Sequence, residues 1–388
     1  MIMKKLLYIA FNNRDNTLYG VRAKILSQCR AFGEWGYSVD LIERRGPETV
    51  VVMDNGETVT VKERTAGIHN YYVRSVLDKQ HQMLDIKAYV RDKQYDACYI
   101  RYDFSDMGFI LLLKQLKMIC GKIVLELPTY PYDDENKKKL LSRVKLAVDI
   151  YYRKHLHNYV DYISTFYDGY ATIFGIPSIV IPNGFDFATM SPVHEELPTD
   201  AVNIVAVSSM REWHGYERFL EGMKNYYQQG SNRKIILHLV GNGREYPKYK
   251  SLTKEYHLDP YVVFHGAMHG EMLNSVYEKC AIGIDSLARH RSGIHILSSL
   301  KSREYGAKGI PMINSCKIDI LEDDFPYLLR VTADESPIDM EQVLAFHDRC
   351  YKNDQTRIQV VKEIRSYIEA RSGMKETLHR VVEALSER

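Results

Sequence analysis

The feature of this 388-residue sequence that most constrains its fold is a rhythm of short apolar segments, alternating with helix-like segments, that runs twice along the chain. In the first half, these segments predict strands at 6–11, 38–42, 97–100, 122–127 and 161–164. In the second half, they predict strands at 202–207, 234–240, 261–264, 281–284 and 311–313. Apolar strands that alternate with helices form parallel sheets covered on both faces. The sequence therefore predicts an α/β fold with two doubly wound domains.

The predicted elements also suggest where the domains begin and end. Asn55-Gly56 between alternating apolar residues predicts a hairpin near 49–63 that decorates the first sheet. We expect an N-terminal domain at 1–188, a C-terminal domain at 189–370 and a last helix at 371–388 that returns to the N-terminal domain. Ligands of such sheets bind beyond the carboxyl ends of the strands, so we expect the site in a cleft across which the two domains face each other.

Composition excludes several kinds of protein. The 52 basic and 50 acidic side chains nearly cancel, so we expect no nucleic-acid partner. Six cysteines are scattered without metal-binding spacing, which favours reduced thiols in a cytoplasmic protein and predicts no metal site. The apolar run at 6–11 is too short for the core of a signal peptide, and no other segment reaches the length of a membrane-spanning helix.

The segment 300–313 says most about function. It places Lys301 and Glu304 in the first turns of a predicted helix, which Gly309 and Pro311 end before an apolar strand. The start of such a helix can hold phosphate, because its free N–H groups and its dipole both favour an anion. The Glu304 carboxylate is suited to accept hydrogen bonds from sugar hydroxyls. Together these features indicate a site for a nucleotide-sugar.

Further motifs occur in a characteristic order along the chain: Ile181–Asp186, Ser208–Gly215, Leu239–Gly243, Phe264–Gly266 and Glu304–Ile313. In that order and spacing they resemble retaining glycosyltransferases of the GT-B fold, and more narrowly the family 4-like group that builds bacterial polysaccharides and glycolipids. The resemblance implies two Rossmann-like domains facing across a cleft. It also implies metal-independent transfer of a sugar, without a bound cofactor, from a nucleotide diphosphate donor to a saccharide or lipid-linked acceptor.

The resemblance also assigns candidate site residues. It gives Glu304 to the ribose and suggests that the nucleotide-sugar contacts Leu300, Ser299, Gly241, Asn242, Gly243, His214 and Arg291. The catalytic candidates are Lys301 and Arg211, which would offset the charge of the leaving diphosphate, and Glu126, which would orient an acceptor hydroxyl or accept its proton. The acceptor-side candidates are Gly20, Arg22 and Tyr102, with Tyr130 as a second aromatic residue for sugar contact. Solvated loop cations, plain glycine turns and a structural hydrogen bond are the alternatives.

Three departures from the family pattern limit these assignments. Ile296 stands where the family often has the first of two glutamates, the one that contacts the donor sugar. Ser209 and His214 stand where the family has arginine and lysine. Arg211, Lys301 and the basic loop 289–295 are the nearby groups available to neutralise a diphosphate.

Other functions remain open at this stage. A non-catalytic partner subunit of another glycosyltransferase and a nucleotide-sugar epimerase or hydrolase share the fold. A phosphorylase and a nicotinamide oxidoreductase are disfavoured, since neither a cofactor-lysine motif nor a G-x-G-x-x-G helix start is present. The basic amphipathic segment 136–158 suggests peripheral contact with the inner face of a membrane, the alternative being a helix packed on the sheet with its lysines in water.

Overall fold

The computed structural model describes residues 3–11, 19–64, 71–128, 130–133, 140–166, 169–351 and 356–387. The chain forms two compact units, unit 1 (Met1–Gly184 with Met374–Arg388) and unit 2 (Phe185–Gly373). The chain divides after Gly184 and Gly373, whereas the sequence suggested divisions after 188 and 370.

Strands and helices alternate in both units. The strands are β1 (Lys4–Ala10), β2 (Tyr37–Arg45), β3 (Glu48–Val52), β4 (Thr58–Glu63), β5 (Tyr95–Arg101), β6 (Cys120–Leu127), β7 (Tyr162–Thr165), β8 (Thr172–Ile173), β9 (Ile176–Val180), β10 (Val202–Val207), β11 (Ile235–Val240), β12 (Val262–Gly266), β13 (Ile282–Ile284), β14 (Ile296–Leu297), β15 (Met312–Asn314), β16 (Lys317–Ile318) and β17 (Leu328–Arg330). The helices are α1 (Tyr19–Glu34), α2 (Tyr71–Tyr89), α3 (Met107–Ile119), α4 (Leu140–Tyr152), α5 (Tyr216–Gln228), α6 (Tyr246–Glu255), α7 (Gly270–Lys279), α8 (Leu300–Lys308), α9 (Met340–Tyr351), α10 (Arg357–Ser372) and α11 (Met374–Ser386).

Unit 1 is built on a nine-stranded sheet in the order β4-β3-β2-β1-β5-β6-β7-β9-β8. Within this order, neighbouring strands in the run β2-β1-β5-β6-β7-β9 pair in parallel. The strands β3 and β4 form an antiparallel hairpin that extends the sheet beyond β2. Side chains on the central strands, such as Leu7, Ile100 and Ile123, are fully buried, because helices cover both faces of the sheet. The last helix, α11, packs against α1, where the Trp35 indole N–H donates to the Lys375 carbonyl at 2.9 Å.

Unit 2 is built on a six-stranded parallel sheet in the order β12-β11-β10-β13-β15-β17. A second, two-stranded parallel sheet joins β14 to β16. Two parallel-rich sheets of this kind confirm the predicted class of two doubly wound, Rossmann-like domains. The motifs Ser208–Gly215 and Leu239–Gly243 and the basic loop 289–295 follow β10, β11 and β13, at the carboxyl edge of the sheet, where such folds bind ligands.

The helix predicted from the segment 300–313 is α8. Ser299 is its N-cap, since the Ser299 hydroxyl accepts from the Ser302 N–H at 3.0 Å. Gly309 ends the helix with φ of 73°, a left-handed conformation that favours glycine. Arg303, a fully buried residue of α8, ties the start of the helix to the segment after β16. Its guanidinium lies 2.6 Å from both carboxylate oxygens of Asp319. Capping and this ion pair together hold the start of α8 in one position.

The basic segment 136–158 is only partly described. Residues 134–139 lie outside the described part of the chain, and the remainder forms α4 and a 3₁₀ helix at Arg153–Asn158. Lys145 pairs with Asp103 at 3.1 Å and Arg153 with Asp133 at 2.8 Å, so part of the positive charge is neutralised within unit 1. Within the ranges described, no helix is long and apolar enough to cross a membrane. Peripheral membrane contact stays a prediction.

The docking of α11 yields a stability prediction. Leu378 is fully buried against the core of unit 1, so Leu378→Ala should lower the free energy of unfolding of this unit by about 2–5 kcal/mol. The chain has two tryptophans, Trp35 in unit 1 and Trp213 in unit 2, so fluorescence during urea unfolding in a Trp213→Phe background reports unit 1. Glu376→Ala, at an exposed site on the same helix, is the matched control and should leave the midpoint unchanged. Equal urea midpoints for Leu378→Ala and Glu376→Ala would contradict the packing of Leu378 in the core of unit 1.

Candidate functional site

Two loops at the carboxyl edge of the unit 2 sheet are joined backbone to backbone. The His214 carbonyl accepts from the Leu287 N–H at 2.8 Å, and the Trp213 carbonyl accepts from the Ala288 N–H at 3.3 Å. Between them the chain turns at Gly215, where φ is 65° and an added Cβ would lie 2.6 Å from the Ala288 Cβ. The loop after β10 and the loop after β13 therefore form one surface.

A third loop, after β11, packs against the first, and its glycines have a structural reason. A Cβ at Gly241 would lie 1.9 Å from the Ser208 carbonyl oxygen, and one at Gly243 would lie 1.8 Å from the Ser209 carbonyl oxygen. Glycine is required at both positions because protein backbone occupies the space. Asn242 between them is exposed. Contact of this turn with a nucleotide stays a prediction.

A buried ion pair lies at the centre of the surface. Asp285, which directly follows β13, is fully buried, and its Oδ1 lies 2.9 Å from the Lys301 Nζ in the first turn of α8. The same ammonium donates to the Asp285 carbonyl at 2.5 Å and to the Ser286 hydroxyl at 3.2 Å. The second carboxylate oxygen accepts from the Ser299 hydroxyl, the N-cap of α8. Asp285 thus joins the end of a strand to the start of a helix.

These contacts give Lys301 a structural role. Burial lowers the pKa of Lys301, and the carboxylate of Asp285 opposes that shift. An ammonium has three N–H donors, and the contacts with Asp285 and Ser286 occupy all three. The charge of Lys301 therefore compensates Asp285 and positions α8, and its role in neutralising a diphosphate stays a prediction. Sequence analysis missed Asp285, although an acidic residue directly after a buried strand is a recognisable signal at this edge of a sheet.

His214 is held neutral beside this pair. Its side chain is buried, its ring stacks on Tyr216 with 5.5 Å between centroids, and its Nδ1 accepts from the Arg211 N–H at 2.8 Å. Burial lowers the pKa of His214 to about 2, and the nearby charges of Lys301 and Arg289 add to the effect. Because Nδ1 accepts, the proton of the neutral ring resides on Nε2. His214 therefore offers one neutral N–H donor in an electropositive surrounding.

Arg289 supplies a positive charge that the protein leaves incompletely bonded. Its guanidinium lies over the Trp213 ring, 5.4 Å from the centroid, and its Nε is buried without a hydrogen-bond partner among the described residues. Burial lowers the pKa of Arg289, and the carboxylate of Asp285 opposes that shift. A buried donor without a partner is uncommon in native proteins and calls for a specific explanation, such as a catalytic role or a bound ion or solvent molecule. Arg289 belongs to the basic loop 289–295 that the sequence analysis singled out.

Arg291, two residues further along, is a different case. It lies 2.6 Å from a Glu217 carboxylate oxygen, pairs with Glu335 through two hydrogen bonds and donates to the Glu212 carbonyl at 2.7 Å. These ion pairs raise the pKa of Arg291. Two carboxylates therefore neutralise Arg291 in this structure, and its contact with the nucleotide stays a prediction. Arg211, by contrast, is exposed.

Glu304 lies in the second turn of α8 and is largely buried. Burial raises the pKa of Glu304, while the Tyr277 hydroxyl and the ammonium groups of Lys308 and Lys301 oppose that rise. The buried Tyr277 hydroxyl has no partner of normal hydrogen-bond geometry within the described residues. Leu300 and Ile296 are 50% and 63% exposed, so apolar side chains occupy the surface where the family often has its first glutamate.

The catalytic candidate of unit 1, Glu126, lies in the interior. It is fully buried, one carboxylate oxygen lies 2.6 Å from the Arg101 guanidinium, and the other accepts from the Gln28 amide at 3.1 Å. Burial acts to raise the pKa of Glu126, but the charges of Arg101 and Lys24 hold it below its ordinary value. A buried, fully bonded carboxylate of low pKa is a poor proton acceptor. The structure thus shows the structural hydrogen bonds that were the alternative for Glu126, and its catalytic role stays a prediction.

The other acceptor-side candidates also have partners inside unit 1. The Tyr102 side chain is buried and its hydroxyl donates to Asp149 at 2.5 Å, while its contact with sugar stays a prediction. Arg22 forms a bidentate pair with Glu43, at 3.0 and 3.2 Å. Gly20 lies in the first turn of α1, and the loop 12–18 before it is outside the described residues. Tyr130 packs edge-on against Tyr170, with 4.9 Å between ring centroids.

The described ranges contain no group of three or more histidine, cysteine, aspartate or glutamate side chains that could hold a metal ion. Metal independence stays a prediction.

The buried, neutral state of His214 predicts a dependence of stability on pH. The imidazole takes up a proton near pH 6.5 in the unfolded chain but only near pH 2 in the folded one. The unfolded state therefore binds more protons below pH 6.5, and stability falls as the pH drops through that range. At pH 5, the loss of unfolding free energy caused by His214 reaches about 2 kcal/mol, and His214→Gln should not show this loss.

The measurement is urea unfolding at pH 7 and pH 5 in a Trp35→Phe background, with Trp213 fluorescence as the signal for unit 2. We expect the difference in unfolding free energy between the two pH values to be about 2 kcal/mol smaller in His214→Gln than in the parent. An identical pH dependence would show that His214 titrates normally.

The sequence matches no family model and no curated protein. The structure, however, is similar to solved structures over nearly its whole length. Sucrose-phosphate synthase from Thermosynechococcus elongatus shares 16% identity with a TM-score of 0.62, covering 98% of this chain and 99% of that one. A glycosyltransferase from Rickettsia africae shares 12% identity with a TM-score of 0.61, covering 99% of this chain and 98% of that one.

A third similar structure contains a nucleotide. HepE from Anabaena, solved in complex with UDP, shares 12% identity with a TM-score of 0.58, covering 99% of this chain and 100% of that one. At such low identity the likeness establishes architecture rather than activity. The chain has the GT-B fold of these glycosyltransferases.

Proposed function

We propose that this chain is a retaining glycosyltransferase that takes a sugar from a uridine diphosphate donor. The observation that carries the proposal is the incompletely bonded Arg289 guanidinium, which lies near the neutral His214 N–H donor at the carboxyl edge of the unit 2 sheet. In the GT-B fold, a nucleotide-sugar is the ligand expected at this edge of the sheet. HepE, which has the same fold, has been solved with UDP and with UDP-glucose. The base and the hexose of the donor are inferred from that likeness.

The arrangement suits a diphosphate leaving group. Arg289 and the His214 Nε2–H offer one charged and one neutral donor, and the start of α8 adds free backbone N–H groups. Such preorganised donors stabilise the negative charge that develops as the bond between the sugar and the diphosphate breaks. Arg211, exposed beside this pair, is the further cation of the proposed site. Lys301 positions α8 without contacting the phosphates.

Glu304 completes the donor site in this proposal. Its carboxylate is positioned by α8, and Lys308 and Lys301 favour its charged form against burial. We assign it to the ribose hydroxyls, which donate to a carboxylate. In the proposed reaction the acceptor hydroxyl forms a bond to the anomeric carbon on the face that the diphosphate leaves. The leaving phosphate takes the hydroxyl proton, so no protein nucleophile is required.

The acceptor we propose is a saccharide or a lipid-linked saccharide in cell-envelope or exopolysaccharide synthesis, at the cytoplasmic side of the membrane. This part rests on the family resemblance of the motifs. Glu126 and Tyr102 have no part in it, because both are bonded in the interior of unit 1.

A second candidate function has a specific observation in its favour. Ile296 is 63% exposed at the position where the resemblance places a glutamate that contacts the donor sugar. A subunit that binds a nucleotide-sugar without turning it over would tolerate this change. Incubating the purified chain alone with UDP-glucose separates the two: release of UDP, by transfer or slow hydrolysis, supports an enzyme, and binding without release supports a non-catalytic subunit.

Glu304 predicts a nucleotide preference that can be measured. Wild-type protein should bind UDP about 10- to 100-fold more tightly than 2′,3′-dideoxy-UDP, because charged hydrogen bonds to two hydroxyls contribute about 1.5–3 kcal/mol. Glu304→Ala should bind both nucleotides equally, at the weaker affinity. Isothermal titration calorimetry gives the four dissociation constants, one for each of the two folded proteins with each of the two nucleotides. A preference that persists in Glu304→Ala would remove this residue from the ribose site.

The two arginines of the loop provide a matched pair for the diphosphate. Arg289→Ala should weaken UDP binding by about tenfold or more, since a charge-assisted hydrogen bond to phosphate is lost. Arg291→Ala should change it by less than about threefold, because that guanidinium is already neutralised by Glu217 and Glu335. Uridine without phosphates should bind wild type and Arg289→Ala alike. A larger loss of UDP affinity in Arg291→Ala than in Arg289→Ala would instead assign the diphosphate to Arg291.

A further inference from the structure

A long groove lies between α2 and α3 on the surface of unit 1. Two cavities of about 550 and about 460 Å³ adjoin, since both have Lys87 and Leu111 in their walls, and Val148 and Tyr152 of α4 also line the first one. We call this the α2–α3 groove and define it by Met83, Leu84, Lys87, Leu111, Lys114 and Met118. It is remote in the sequence from every residue of the proposed donor site.

The walls of the groove follow helical spacing. On α3, Met107, Leu111, Lys114 and Met118 recur at intervals of three and four residues, which places them on one stripe of the helix. From Met107 to Met118 the stripe is about 16 Å long, or three helical turns. Neighbouring packed helices lie about 8–10 Å apart, so a trough between two such stripes has the dimensions to receive a third helix.

The floor of the groove is unusually apolar for a surface. Leu84 is 54% exposed, Met107 61%, Leu111 44% and Met118 72%. Helices that cover a sheet normally turn polar side chains to water, so a contiguous row of large apolar side chains marks an interaction surface. Methionine is flexible and polarisable, and it is common where a surface packs against a partner helix.

Contacts between α2 and α3 fix the two walls of the groove relative to each other. A Cβ at Gly108 would lie 2.4 Å from the Gln80 Oε1, so glycine lets α2 and α3 approach closely at one end. There the Gln80 amide donates to Asp106 at 3.0 Å. Further along, the Gln115 side chain donates to the Lys87 carbonyl at 2.8 Å. The groove is therefore preformed, which reduces the entropy lost on binding.

The rim of the groove is basic. Lys87, Arg91 and Lys114 line it, and none of the three forms an ion pair with a described residue. Asp106, the acidic side chain among the wall residues, is at the end closed by Gln80 and lies 3.9 Å from the Lys79 ammonium. An occupant that places carboxylates along this rim would find three unpaired cations.

We propose that the α2–α3 groove binds an acidic amphipathic helix of about three turns from a partner protein. Its apolar side chains, spaced three and four residues apart, would pack on Leu84, Leu111 and Met118, and its carboxylates would face Lys87 and Lys114. A bilayer is flat and engages side chains that protrude from a convex surface, whereas these side chains line two adjoining concave cavities between helices. The groove therefore fits a helix better than a membrane.

The test uses two labelled peptides. Each is a hydrocarbon-stapled 14-residue helix with leucine on one face; one carries glutamate on its flanks and the other lysine. Fluorescence anisotropy with the full chain should show the acidic peptide binding at least about tenfold more tightly than the basic one. In the variant Lys87→Glu/Arg91→Glu/Lys114→Glu this preference should reverse.

Matched apolar variants identify the floor. Leu111→Asp and the milder Met118→Ser should each weaken binding of the acidic peptide, Leu111→Asp by about tenfold or more. Cooperative urea unfolding followed by Trp35 fluorescence in a Trp213→Phe background is the evidence that unit 1 stays folded. Met272→Asp, at a 62% exposed methionine on a helix of unit 2, is the control and should bind the peptide like wild type.

Four results would overturn the proposal. The first is equal binding of the two peptides, and the second is a preference that the triple variant leaves unchanged. The third is no peptide binding together with sedimentation on phosphatidylglycerol vesicles that Leu111→Asp abolishes, which would assign the groove to a membrane. The fourth is no peptide binding together with a dimer that Leu111→Asp dissociates, which would assign it to a second copy of the chain.

Discussion

The ion pair between Asp285 and Lys301 is the interaction on which the candidate site depends. It joins the end of β13 to the first turn of α8, and its other carboxylate oxygen accepts from the N-cap residue, Ser299. Removing one partner of such a buried pair leaves an uncompensated charge, which is strongly destabilising. The orientation of α8, and with it the position of Glu304, follows from this contact. Arg303, which binds Asp319, fixes the same helix from its other side.

The electrostatic character of the site follows from the same pair. Because Lys301 compensates Asp285, the remaining positive charge on this surface comes from Arg289 and the exposed Arg211. Burial keeps His214 neutral in their field, so it contributes a hydrogen-bond donor without adding a third positive charge. Two carboxylates neutralise Arg291 at the rim. The result is a localised positive region suited to a diphosphate, in a chain whose total charge is close to zero.

The sequence predicted the architecture well, because the apolar periodicity of strands and helices is a local property. The helix α8 was foreseen with its start and its glycine end, since capping also depends on neighbouring residues. Side-chain pairing was not predictable in this way. Glu126 looked like a catalytic group at a strand end, but the parallel register of β5 and β6 places it directly opposite Arg101. Likewise, Arg289 and Arg291 differ only because Glu217 and Glu335, distant in the sequence, meet the second of them.

The central claim is that unit 2 holds the diphosphate of a nucleotide-sugar between Arg289, His214 and the start of α8. A crystal structure of the chain with UDP tests it most directly. We expect phosphate oxygens within hydrogen-bond distance of the Arg289 guanidinium and the His214 Nε2, with the ribose hydroxyls on the Glu304 carboxylate. UDP bound away from the carboxyl edge of the unit 2 sheet, or with its phosphates on Arg291, would contradict the account.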